Sequence, residues 1–317
     1  VIRLVGGYAE HNAQGWHGTG TCGVFGAAAA AARVLGLDAE SFTHALALAG
    51  TYTGGLWCFL ADGAMSKRLH AGKAAEGGTM AALLAREGVT GPTHLFDART
   101  WGSFTALYAP PGKADPDALM EGFGAQFRIF DSGFKPYACC RGCHGPLDAL
   151  LALCEAHALG ADSVERVTVH APEQTARQLG KQAVANILDA QMSLPYSVAV
   201  ALRFGRADLA HFQAPHLDDP ALARFARKVE VIGEASRPTG SAPEVTLVLR
   251  DGTRLAATVE RAKGEHANPM SDRELEQKFY ALATLHVDRT RAERLFEAVW
   301  TLDRAESVQP LLALLEA

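Results

Sequence analysis

Residues 23–38 read GVFGAAAAAARVLGLD, and the fold turns on how this stretch behaves. Six consecutive alanines, Ala27 to Ala32, favour helix intrinsically and let neighbouring helices approach closely. Gly36 stands where a left-handed residue would end the helix, so a buried helix is expected. On its C-terminal side DAESFTHALALAG (38–50) starts the next helix with Asp38 or Ser41 as cap, and SKRLHAGKAAEGGTMAALLAREG (66–88) forms a third that ends near Gly88. The first 130 residues or so read as a helix bundle.

From about residue 125 the texture changes. FRIFD (127–131), VERVTVHAP (164–172) and KVEVIG (228–233) read as strands, and in EVTLVLRDGTRLAATVE (244–260) Asp251-Gly252 between two alternating runs is a hairpin signal. Helices at 144–159 and 188–204 interrupt these strands, which makes an α+β domain. After GEHANPMSD (264–272) the chain returns to amphipathic helix, capped by Ser271 or Asp272, and this tail is expected to pack on the first bundle.

Composition narrows the function. With 317 residues and 48% apolar side chains the chain can bury a large core. A net charge of −5 gives no general basic field for nucleic acid or an anionic membrane. No apolar run has the length of a spanning helix, and the first twenty residues lack the pattern of an export leader. Six cysteines are too few for a disulfide scaffold, so reduced thiols and a cytoplasmic location are expected. The chain opens without Met, partway into a helical pattern, and is expected to be a fragment or a processed chain.

FKPYACCRGCHGPLD (134–148) contains C-x-x-C-H, the short signature of haem attachment. The export route that haem attachment needs is missing, no second ligand pair completes a zinc site, and the other cysteines lack cluster spacing. No metal or cofactor is therefore expected, and some of the cysteines read as small buried hydrophobes. Lys135, Tyr137, Arg141 and His144 surround them at a strand-to-helix junction, a candidate carboxylate pocket. Elsewhere, His17 stands in a Gly/Thr-rich approach to the alanine helix, placed to act as a base. Lys67 and His70, three apart, share one helix face, with Lys73 displaced from it. Tyr196 enters an apolar helix in DAQMSLPYSVAVAL (189–202), where simple packing is the alternative reading.

Five blocks in order, WHGTGTCGVFGAAAAAARVLGLD, SKRLHAGKAAEGGTMAALLAREGVTGP, FKPYACCRGCHGPLDAL, AQMSLPYSVAVAL and ANPMSDRELEQKF, resemble the MmgE/PrpD family across nearly the whole chain. That family includes 2-methylcitrate dehydratase, cis-aconitate decarboxylase and iminodisuccinate epimerase. The resemblance implies a mainly α fold with an inserted α+β lid: a helical domain from 1–124 and 268–317, a lid from 125–267, an active site in the cleft between them, and a homodimer. By motif it implies catalytic roles for His17, Lys67, Lys135, His144 and Tyr196, with His70 and Arg141 as further substrate contacts. Two departures stand out. Nothing corresponds to the helical segment that family members carry ahead of the His17 block, and Cys140 and Cys143 fall where the family needs no thiols.

The expected chemistry is removal of a proton next to a carboxylate of a small di- or tricarboxylate. His17 or His144 would exchange the proton, Lys67, Lys135 and Arg141 would hold carboxylates, and Tyr196 would assist proton delivery. Dehydration ranks first, with epimerisation or decarboxylation as alternatives and a non-catalytic carboxylate-binding relic as the rival of another class.

Overall fold

The alanine run forms the expected helix. In the computed structural model, which describes residues 1–316, a short helix α1 (Gly7–Ala13) leads into α2 (Gly18–Val34), and Gly36 just past its end adopts φ +67°. α3 (Ala39–Ala49) is capped by Asp38, whose carboxylate accepts from the Ser41 N–H at 2.8 Å. α4 (Ser66–Arg86) packs against both α2 and α3, and α5 (Phe104–Tyr108) adds Phe104 to their core.

Small residues set how closely these helices meet. Val24, Phe25 and Ala28 of α2 pack with Ala74 and Ala81 of α4 and Ala49 of α3, and a second layer is all alanine: Ala32, Ala45, Ala82 and Ala85. Gly78 of α4 lies directly on α2, where an added Cβ would meet the Val24 carbonyl and approach Ala28 N to 2.6 Å. Backbone-to-backbone dispersion therefore replaces interdigitated large side chains at this seam.

The mixed region follows as α6 (His144–Ala156), β1 (Val164–Pro172), α7 (Glu173–Leu179), α8 (Ile187–Gln191), α9 (Leu194–Phe204), α10 (Pro220–Ala226), β2 (Val229–Glu234), β3 (Glu244–Leu249) and β4 (Arg254–Thr258). The strands form one sheet in the order β2-β1-β3-β4. β3 and β4 are antiparallel, with Val245 opposite Ala257 and Leu247 opposite Leu255. Their turn is a three-residue loop: Leu249 N–H donates to the Thr253 carbonyl at 2.9 Å, and Gly252 takes φ +87°. The Asp-Gly signal thus marks the corner, with the glycine supplying the left-handed residue that such a loop needs.

Two sequence expectations change. Arg128–Asp131, inside FRIFD, is a turn of 3-10 helix with Phe127, Ile129 and Phe130 exposed. An ion pair of 3.2 Å between Arg128 and Asp131 closes that turn, since residues three apart eclipse in a 3-10 helix. The helix expected over 188–204 is two helices, because Pro195 has no N–H and its ring blocks continuation; α9 starts afresh at Leu194 with the proline in its first turn.

Three amphipathic helices end the chain: α11 (Asp272–Ala283), α12 (Arg289–Trp300) and α13 (Gln309–Leu315). Ser271 and Glu274 form the capping box of α11. The chain divides into two compact units, the first made of residues 1–127, 170–193 and 231–241, the second of 128–169, 194–230 and 242–317. Thirteen α-helices and four strands among the described residues make the fold mainly α with a smaller α+β part. None of these helices is long and apolar enough to cross a membrane.

Candidate active site

In the first unit three predicted residues converge. His17 is the N-cap residue of α2: its carbonyl accepts from Gly20 N–H at 2.9 Å and begins the helix, leaving the ring free to project elsewhere. Glycine at position 20 is required, because an added Cβ would strike the carbonyl of Gly54 in the loop that holds His17 N–H through Gly55 O at 2.9 Å. The His17 ring meets His70 from the first turns of α4, Nδ1 to Nδ1 at 2.7 Å. One of these nitrogens donates and the other accepts, so the pair holds a single proton between them.

Lys67, one turn ahead of His70, points its Nζ to 5.7 Å from the Trp57 ring centroid, 5.8 Å from that of Phe59 and 3.2 Å from Met192 Sδ. His17 lies edge-on to Trp57 with centroids 4.9 Å apart, and Trp57 is itself fixed by donating to Asn12 Oδ1 at 2.9 Å and Trp16 O at 3.0 Å. An ammonium and two imidazoles thus share an aromatic cage. The consequence is electrostatic: burial, then the facing His70, then Lys67 depress His17 to a pKa of about 4. Burial and Lys67 lower His70 as well. At neutral pH both rings are proton acceptors beside a fixed cation. Lys73 takes no part and pairs with Glu76 at 2.6 Å on the exposed side of α4.

The remaining predicted residues lie in the second unit. Lys135 Nζ donates to the Cys139 carbonyl at 3.2 Å, and Arg141 donates to the carbonyls of Phe134 (3.0 Å) and Lys263 (3.3 Å). Neutral carbonyls position these cations without cancelling their charge. Lys278 of α11 joins them, donating to Lys135 O at 2.8 Å, with its pKa lowered by burial and by the Lys135 charge. Tyr137 donates to Asp148 Oδ1 at 2.5 Å, Asp148 Oδ2 accepts Lys263 N–H at 2.6 Å, and the Tyr137 ring lies edge-on to His144 at 5.2 Å.

His144, the first residue of α6, is fully buried, and neither ring nitrogen has a hydrogen-bond partner among the described residues. Its electrostatic neighbour is the buried Cys139 thiol. Burial opposes ionisation of Cys139, but Cys143, His144 and Ser197 together outweigh it and hold its pKa below the ordinary thiol value. Cys143, fully buried beside it, is pushed the other way by the Cys139 side chain and by burial. No group of three or more His, Cys, Asp or Glu side chains among the described residues has the arrangement of a metal site. Tyr196 is buried in α9 with its hydroxyl donating to the His211 carbonyl at 2.8 Å, and burial, with Asp219 and Asp218, pushes it up to about 12.

The structure therefore brings His17, Lys67 and His70 into one cluster and places Lys135, Arg141, His144 and Tyr196 in the other unit. Sequence reasoning missed Trp57, Phe59 and Met192 around Lys67, and Lys278 beside Lys135. The aromatics did carry a signal, since TYTGGLWCFLADG (51–63) puts large rings in a glycine-flanked loop. Lys278 is one charge of an ordinary amphipathic helix and carried none.

Residues 2–115 match the MmgE/PrpD N-terminal domain and 137–304 the MmgE/PrpD C-terminal domain. A cis-aconitate decarboxylase-like protein, oryM of Aspergillus oryzae, is 29% identical across 97% of this chain and 66% of its own length. The cis-aconitate decarboxylases of Aspergillus terreus and Mus musculus are 28% and 26% identical across 95% of this chain, and 65% and 62% of their own lengths. The chain spans just under two thirds of the length of these relatives. Both halves of the family pattern are present in their proper order, and the chain belongs to the MmgE/PrpD family.

Proposed function

We propose that the protein is a cofactor-independent lyase of small di- or tricarboxylates, acting through proton transfer at a carbon next to a carboxylate. The observation that carries this reading is the His17–His70 pair, 2.7 Å apart beside Lys67. A polyanionic substrate would offset the repulsion that Lys67 and His70 exert on His17 and so raise its proton affinity on binding. The pair can then take a proton from carbon or return one, while Lys67 stabilises charge growing on the carboxylate oxygens. Lys135 and Arg141, held by carbonyls rather than carboxylates, keep their charge for substrate.

The sequence ranked dehydration first; the relatives named as cis-aconitate decarboxylases move decarboxylation of a cis-aconitate-type substrate ahead of it. In decarboxylation the C–C bond to the departing carboxylate breaks, its electron pair stays on carbon, and the imidazole pair supplies the proton as CO2 leaves. In dehydration the pair removes the proton, and hydroxide departs as water with a proton from an acid. The homodimer, the cytoplasmic location and the lid of residues 125–267 belong to the same proposal.

The test is to incubate the protein, in its full-length form, with cis-aconitate, 2-methylcitrate and iminodisuccinate and follow products by NMR. Conversion of one substrate, lost in Lys67→Ala and His70→Ala variants that still fold, is expected. Binding without conversion would make the protein a carboxylate-binding relic, and neither binding nor conversion would end the enzyme reading.

A further inference from the structure

The second unit holds a basic cavity, lined by none of the candidate catalytic residues, that the proposed reaction does not use. It encloses about 370 Å³, and four cations from separate parts of the chain line it: Arg203 at the end of α9, Arg224 in α10, Lys228 before β2 and Arg250 at the β3–β4 corner. Their donors are poorly matched by the protein itself. Arg203 lies 3.5 Å from Asp219 and Lys228 lies 3.6 Å from Glu165, both longer than the ~2.7–2.9 Å of a charge-assisted hydrogen bond. Arg250 spends its Nε on the Asp162 backbone carbonyl at 2.7 Å, a neutral acceptor that orients the guanidinium without cancelling it. Arg224 makes no hydrogen bond or ion pair with any described residue.

The acids near these cations are Asp162, which also lines the cavity, Asp219 and Glu165. Four cations thus face three carboxylates, and no carboxylate oxygen bonds any of the four at hydrogen-bond length. Cations contributed by four separate parts of the lining suit a tetrahedral polyanion, which accepts on every side, better than a planar carboxylate, which accepts through one fork. The part-exposed Phe225 of α10 adds an apolar wall, backed by the buried Leu222.

We infer that this cavity binds a diphosphate group, either free or carried by a nucleotide whose base lies against Phe225. The site is independent of the reaction proposed above and stands or falls apart from it.

Isothermal titration of the whole protein at low salt with inorganic pyrophosphate and, separately, with adenosine diphosphate tests the inference. Saturable pyrophosphate binding is expected, weakened roughly tenfold by Arg224→Ala, the loss expected for one charge-assisted contact to phosphate, and partly restored by Arg224→Lys. Tighter binding of adenosine diphosphate than of pyrophosphate identifies the nucleotide as the occupant; equal binding identifies the free anion. Circular dichroism confirms that the variants fold, which the exposed position of Arg224 favours. Three results overturn the inference: no binding of either probe at millimolar concentration, binding unchanged by Arg224→Ala, or citrate bound as tightly as pyrophosphate.

Discussion

Acid should destabilise this protein through His17 in a way that can be isolated. The ring is 7% exposed and its Nδ1 faces another Nδ1 at 2.7 Å, so a proton on both nitrogens would set two N–H groups against each other beside Lys67. In the unfolded chain the same ring takes up a proton near its ordinary pKa of 6.5, whereas in the folded protein it does so only near 4. Because the folded pKa is depressed, the unfolded state binds more protons in this window, and stability present above pH 6.5 is lost as pH falls toward 4. The full shift corresponds to at most about 3.5 kcal/mol, accumulating at up to ~1.4 kcal/mol per pH unit, a large share of the stability of an ordinary domain. Urea unfolding followed by circular dichroism at pH 7.5, 6.5, 5.5 and 4.5 should show the parent losing stability more steeply than His17→Gln between pH 6.5 and 4.5. Parallel slopes for the two proteins, or an NMR titration of His17 centred near 6.5, would refute the reasoning.

Three further outcomes follow from single contacts. Gly78→Ala, which drives a methyl into the Val24 carbonyl and Ala28 N, should cost about 1–3 kcal/mol, whereas Gly72→Ala in the same helix, with nothing within 4 Å, should be neutral or stabilising by up to ~1 kcal/mol; paired urea midpoints check both. Ser271→Ala removes the capping box of α11 and should cost about 1 kcal/mol, with hydrogen exchange rising first in that helix. Tyr137→Phe loses the 2.5 Å hydrogen bond to Asp148 and should lower stability by about 1.5–3 kcal/mol in thermal unfolding, while Asp148 keeps its bond to Lys263 N–H.

Legibility in the sequence followed the range of the interaction. Helix signals act within one or two turns, so the alanine run, the caps at Asp38 and Ser271, and the glycine at 36 were readable without any partner. The hairpin at Asp251-Gly252 was readable for the same reason, because the turn residue carries its own conformational demand. FRIFD misled because strand formation is decided by a neighbouring edge, and a five-residue run says nothing of whether one is there. The ordered motifs named the family, and with it the histidines and lysines worth examining.

What those residues are to one another came only from folding. His17 and His70 stand 53 positions apart, and no local rule brings two Nδ1 atoms to 2.7 Å; the packing of α2 on α4 does so, through glycines that admit no side chain. Burial then sets the protonation of His17, the commitment of the Tyr196 hydroxyl to a carbonyl, and the electrostatic pairing of Cys139 with His144. Local chemistry chose the elements and the reactive groups, whereas desolvation and long-range contact, which exist only in the packed chain, decided what state those groups are in.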